Sequence, residues 1–167
     1  MEEILISACL VGQKVRYDGA SSDAPGDWIE RWRRQGRLVP ICPEVVGGLA
    51  VPRPAAELVG GDGGDVLDGR ARLETEDGTD VTEAFVAGAR HAWTVARTRG
   101  IRMAVLKARS PSCGTMSVYD GTFSGNKRPG TGVTAALLRR NGIAAFNEDQ
   151  LEEAAAHLAQ LQDHNGR

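Results

Sequence analysis

An α/β fold built on an open, mainly parallel sheet is predicted by three observations. Short and continuously apolar runs recur at residues 4–8, 38–41, 101–106 and 143–146, too brief for helices and without the alternation of a half-exposed strand, which is the pattern of strands buried on both faces. Amphipathic stretches with helix start and stop residues lie between these runs, so the chain alternates strand and helix and covers the sheet on both sides. The 167 residues contain no internal repeat or linker-like tract and suffice for one core without disulfides. The expectation is a single Rossmann-like domain over residues 1–167, with a small β-hairpin excursion.

Residues 4–8 form the first strand and deliver Cys9 at its end. The loop beyond carries Arg16-Tyr17-Asp18-Gly19; Asp-Gly favours a surface turn, while loops at strand ends carry sites, and both readings stay open. Asp27 is expected to cap a helix with Glu30 three residues on, whose apolar side is Trp28, Ile29 and Trp32 and which Gly36 stops. A second strand, 38–41, leads to Cys42-Pro43-Glu44. Extended backbone there would turn Cys42 and Glu44 to the same side.

Between residues 57 and 76, Gly60-Gly61-Asp62-Gly63-Gly64 and a hairpin pattern over 66–73 predict a surface excursion. Arg53, set between two prolines just before it, reads as a solvated loop arginine rather than a substrate ligand. Asp80 opens the strongest helical pattern, with Glu83 at its third position, Phe85, Ala89, Ala92 and Ala96 on one face, and Gly100 at its end. The third strand, 102–107, leads to Ser110-Pro111-Ser112-Cys113-Gly114. A hairpin about Asp120-Gly121 follows, then a basic, glycine-rich loop over 126–132 that opens a helix at 133–141. That helix start either presents backbone N–H groups to an anion or is simply capped by Thr131. After a fourth strand at 143–146, Asn147 and Gln150 cap a last helix carrying Leu151, Ala154, Leu158 and Leu161, and residues 162–167 are expected to fray.

Twenty basic and 22 acidic residues leave a formal charge of -2, so no broad basic field points to long nucleic acid. The start Met1-Glu2-Glu3 has no basic n-region and no run is long enough to cross a bilayer, so a cytoplasmic protein without membrane attachment is expected. The three cysteines are an odd number, widely spaced, and suit a reducing compartment better than a disulfide framework. Each follows a strand, at the sheet edge where such folds bind ligands. They are either small buried apolar residues or soft ligands that leave one position of a zinc or iron-sulfur site open. His91 has no partner at ligand spacing, and His157 and His164 are expected to be exposed and idle.

Several ordered motifs carry a resemblance that spans nearly the whole chain. Ser7-Ala8-Cys9-Leu10-Val11-Gly12, Val15-Arg16-Tyr17-Asp18-Gly19, Cys42-Pro43-Glu44-Val45-Val46-Gly47-Gly48, Pro52-Arg53-Pro54-Ala55-Ala56-Glu57, Asp80-Val81-Thr82, Lys107 with Ser110-Pro111-Ser112-Cys113-Gly114, Tyr119-Asp120-Gly121-Thr122-Phe123 and Gly130-Thr131-Gly132-Val133-Thr134 together resemble the thiouracil desulfidase family. The resemblance implies a 4Fe-4S cluster held by Cys9, Cys42 and Cys113 with one iron free of protein ligands. It further implies non-redox replacement of a thiocarbonyl sulfur on a thiolated uracil by oxygen from water, with release of hydrogen sulfide. Glu44 is the candidate base and Ser110 the candidate catalytic hydroxyl; Arg16, Lys107, Ser112 and Lys127 are candidates to orient substrate.

The family's relatives that act on transfer RNA carry an added C-terminal domain, and this chain ends soon after the core. A small thiolated pyrimidine, as free base or thiouridine nucleotide, is therefore the expected substrate, and iron-sulfur assembly machinery the expected partner for cluster loading. The competing class is a non-enzymatic iron-sulfur or zinc protein that binds a nucleotide-like ligand, with Glu44 merely capping a turn.

Overall fold

The computed structural model describes residues 1–24 and 26–166. In chain order its elements are β1 (Ile4–Ser7), α1 (Asp27–Arg34), β2 (Leu38–Ile41), α2 (Pro43–Val46), β3 (Ala56–Val59), α3 (Gly63–Leu67), β4 (Arg72–Thr75), α4 (Thr82–Arg99), β5 (Met103–Leu106), β6 (Ser117–Tyr119), β7 (Lys127–Pro129), α5 (Val133–Arg140), β8 (Ala144–Asn147) and α6 (Leu151–Asn165), with a 3-10 turn at Ala8–Val11 directly after β1. No helix among the described residues is long and apolar enough to cross a membrane.

Four strands form the central sheet in the order β2-β1-β5-β8, every neighbouring pair parallel. All four residues of β1 and of β5 are buried, because successive side chains point to opposite faces and both faces are covered. On one face Leu5, Ala104 and Leu106 pack with Ala92 and Ala96 of α4 and Ala135 and Leu138 of α5. On the other, Ile4, Ile6, Met103 and Val105 meet Ile29 and Trp32 of α1 and Leu151, Ala154 and Leu158 of α6. Each fully buried Ile or Leu contributes roughly 1.5–3 kcal/mol of transfer free energy, so the one-residue alternation along β1 holds both helical layers.

A third apolar cluster joins Leu58 of β3, Leu73 of β4, Val66 of α3, Phe85 and Ala89 of α4, and Val118 of β6. It corrects two expectations for residues 57–76. The antiparallel partners are β3 and β4, not two arms either side of Asp68-Gly69, and the unit is packed on the core, not laid over the surface. Asp62 and Asp65 form a reciprocal capping box that makes the glycine run the start of α3, and Asp68-Gly69 the turn that ends it, with Gly69 at φ 76°. The second expected hairpin does form: β6 pairs with β7.

Helix starts differ slightly from those the capping residues suggest, one residue earlier for α1 and one to three residues later for α4 and α6. Asp27 is the first helical residue of α1 behind Gly26. Asp80 accepts the N–H of Thr82 at 2.9 Å in a turn ahead of α4, and Asn147 accepts the N–H of Asp149 at 2.8 Å ahead of α6. At the other end, α6 continues through Asn165, where fraying was expected from 162, because the Asn165 amide donates to Glu2 at the foot of β1. Arg167 lies outside the described residues.

Candidate functional site

The sheet order reverses at β1: the chain runs outward to β2 and later returns to β5 on the opposite side. A crevice at the carboxyl ends of the strands follows from that reversal. It is a cavity of about 360 Å³ lined by Cys9, Cys42, Cys113, Glu44, Arg53 and Ser110 among others. Cys9 sits in the 3-10 turn after β1, Cys42 is the residue before α2, and Cys113 lies in the turn beyond β5. A larger groove of about 480 Å³, between the starts of α1 and α6, holds no cysteine.

All three thiols are free. Burial first, and neighbouring cysteines second, push Cys9 up to about 11 and Cys113 up to about 12, with Ser7 opposing the rise at Cys113. Cys42 is raised by burial too, against backbone N–H groups of Val45 and Glu44 that favour its thiolate. The buried Ser7 hydroxyl oxygen accepts the N–H of Lys107 at 2.9 Å, and the hydroxyl is a neighbour that favours the Cys113 thiolate. Among the described residues, no three His, Cys, Asp or Glu side chains gather around one ion position. Three soft donors lining one cavity form a donor set of the kind that holds an iron-sulfur cluster or a zinc ion.

Glu44 reaches the cavity by a different geometry from the one expected. Cys42-Pro43-Glu44 is not extended; Pro43 opens the one-turn helix α2, since its fixed φ and missing N–H suit a first helical position. Gly88 permits α2 to lie on α4, because a Cβ there would stand 1.9 Å from the Pro43 carbonyl oxygen. Burial raises the Glu44 carboxyl above the usual range, and the Arg53 guanidinium, 3.4 Å away, opposes that rise.

Arg53 is not a solvated loop residue. Its side chain is 5% exposed; beyond Glu44 it donates to Val15 O at 3.0 Å and Ala50 O at 3.1 Å, and its Nε has no partner among the described residues. Its backbone N–H donates to Tyr17 O at 2.7 Å, tying it to the loop of Arg16, which also lines the cavity.

Of the two candidate serines, only Ser110 lines the cavity. Its oxygen accepts the N–H groups of Ser112 at 3.1 Å and Cys113 at 3.0 Å. Ser112 is fully buried and hydrogen-bonded to Thr134 Oγ1 at 2.8 Å, which removes it from the expected substrate contacts. Lys107 lines the cavity with its ammonium 3.0 Å from Glu148. Lys127 lies exposed in β7, away from the lining, because pairing with β6 carries the segment outward. The start of α5 is not an anion site: Val133 N–H donates to Pro111 O at 3.0 Å, and those of Thr134 and Ala135 donate to Ser112 O at 2.8 and 3.2 Å. These bonds instead brace the turn that carries Ser110 and Cys113, and Gly132 permits the approach, since its Cβ would stand 2.4 Å from the Ser112 carbonyl.

Sequence reasoning missed Arg53 and Ser7, although both lie inside motifs that carried the resemblance. Their roles arise from contacts between distant segments: Arg53 reaches Val15 across 38 positions and Ser7 reaches Lys107 across 100.

The sequence profile described as 2-thiouracil desulfurase matches residues 4–150. The uncharacterized protein YbbK of Bacillus subtilis (strain 168) is 43% identical over 150 residues, covering 90% of this chain and 98% of that protein. Among solved structures, the 4Fe-4S-dependent thiouracil desulfidase TudS (DUF523Vcz) is similar with a TM-score of 0.87 and 46% identity, over 96% of this chain and 99% of that one. Profile, relative and structure each span nearly the whole domain, strand-end cysteines included, and the chain belongs to the 2-thiouracil desulfurase family.

Proposed function

We propose that this protein is a 4Fe-4S-dependent desulfidase of thiolated uracil, acting on the free base or a small thiouridine nucleotide. The observation that carries the reading is that three unpaired cysteines and one half-buried carboxylate line a single cavity. Cys9, Cys42 and Cys113 are the proposed cluster ligands, supported by their soft sulfur donors, two buried and one half-buried, on one cavity. With three cysteines for four irons, the bound cluster supplies one iron free of protein ligands, a Lewis acid for the sulfur that leaves.

The reaction balances without electron transfer: thiocarbonyl and water give carbonyl and hydrogen sulfide. Glu44 takes a proton from the water whose oxygen bonds the ring carbon; the carbon–sulfur bond then breaks, and both water protons leave with the sulfur. Arg53 keeps that carboxylate in place from 3.4 Å. Because the Ser110 oxygen already accepts two N–H bonds, its proton is free to donate to substrate. Lys107 and Arg16 orient the ring's polar edge from the cavity wall. A reducing cytoplasm with iron-sulfur assembly machinery suits a site of three free thiols.

Anaerobic reconstitution followed by sulfide detection tests the reading. The brown protein is expected to release sulfide from 2-thiouracil, and Glu44→Ala to lower the rate at least ~100-fold with the cluster spectrum unchanged. A cluster-loaded protein inert towards thiouracil and thiouridine monophosphate contradicts the enzyme reading and favours a binding module. A colourless protein holding one zinc removes the cluster as well.

A further inference from the structure

The chain has three phenylalanines. Phe85 and Phe146 pack into apolar clusters, whereas Phe123 belongs to none of them and lines the thiol cavity. Its backbone is left-handed, φ 56°; among the described residues the one other non-glycine with positive φ, Arg109 at 66°, lines the same cavity. A bulky side chain is held in that region against a steric penalty, and such strain collects where a ligand is handled.

Glu57 of β3 does the holding. One of its carboxylate oxygens accepts the N–H of Gly121 at 3.0 Å and that of Phe123 at 3.3 Å. Gly121 comes so near β3 that a Cβ would stand 2.5 Å from the Leu58 carbonyl oxygen, and the Asp120 N–H closes the loop onto Asn126 O at 3.0 Å. The loop is thus fastened to β3 and to itself, with Phe123 at the cavity wall.

We propose that Phe123 is the surface on which the flat pyrimidine ring stacks, and that Glu57 is the positioning residue that holds it there. The identity of the ring rests on the desulfidase reading above. A planar heterocycle offers a π-face that a phenyl ring covers in offset or edge-on contact. A ring saturated between C5 and C6 is puckered and loses that contact, so Phe123 selects for planarity as well as affinity.

The test uses the cluster-loaded full-length protein and reads binding apart from turnover. Uracil and 5,6-dihydrouracil are titrated by equilibrium dialysis, and KM and kcat for 2-thiouracil are read from sulfide release. Phe123→Leu is expected to weaken uracil binding and raise KM about tenfold, to affect kcat less, and to narrow the preference for uracil over dihydrouracil. Phe123→Tyr retains binding, Glu57→Ala reproduces the loss, and Glu57→Gln, which keeps an acceptor oxygen, restores most of it. Because no core contact is removed, Phe123→Leu keeps the wild-type melting temperature and cluster absorbance. Wild-type protein that does not bind uracil, a Phe123→Leu variant that binds it normally, or equal weakening for the saturated ring overturns the proposal. Phe123-dependent uracil binding without sulfide release leaves the stacking surface standing and removes the desulfidase reading; sulfide release that Phe123→Leu leaves untouched does the reverse.

Discussion

A guanidinium that is 5% exposed must find its partners inside the protein, and Arg53 finds them in Glu44, Val15 O and Ala50 O. One side chain therefore fastens the proposed base to the loop after β1 and to the segment after α2. The flanking prolines announce a rigid loop, but nothing local announces that residues 15–17 fold over it, so its burial was not legible. Ser110 is the sequence's candidate hydroxyl and Ser112 its less favoured neighbour; the two separate in the fold because Ser112 bonds Thr134, 22 positions on. Ser7 carries a prediction of its own. Ser7→Ala leaves the Lys107 N–H without its acceptor and removes the hydroxyl that favours the Cys113 thiolate. Urea denaturation of the cluster-free chain should show a loss of about 1–2 kcal/mol, and voltammetry of the loaded protein a lower potential. Unchanged values for both would show that the hydroxyl supports neither the strand end nor the sulfur.

Among elements, α2 is the one whose reading changed most. Proline after Cys42 was itself a helix-start signal, and weighing it above the extended pattern would have shown one turn of helix. Glu44 still enters the cavity because α2 is seated on α4 through glycine. Gly88→Ala tests that seat: the clash is with the Pro43 backbone, which no rotamer relieves, so α2 must shift with Cys42 and Glu44. A loss of about 1–3 kcal/mol in chemical denaturation is expected, together with reduced iron per protein, whereas Arg90→Ala on the exposed side of α4 should change neither. Normal stability and iron content in Gly88→Ala would mean that α2 is not seated in this way. The unit from β3 to β4 was misread for a related reason. Asp-Gly at 68–69 serves a helix end as readily as a hairpin turn, and the Asp62/Asp65 capping box decided between them.

For the whole molecule, the alternation of buried runs with amphipathic stretches was enough to foresee a parallel sheet with helices on both faces, because that pattern depends on burial of whole strands and not on any one contact. It was also enough to bring the positions after three strands to one edge, which is why residues as far apart as Cys9, Cys42 and Cys113 line one cavity. What it could not foresee is how the connecting segments close that cavity: Glu57 from β3 and Phe123 from the loop between β6 and β7 meet through two backbone bonds that no periodicity encodes. The proposal that this edge carries out a hydrolytic, non-redox exchange of sulfur for oxygen is tested most directly by a single turnover in oxygen-18 water. Cluster-loaded protein would be mixed anaerobically with 2-thiouracil, without electron donor or acceptor, and the products followed by mass spectrometry and sulfide assay. The predicted result is one uracil bearing one labelled oxygen and one sulfide for each thiouracil consumed; unlabelled uracil, or conversion only after a reductant is added, would contradict it.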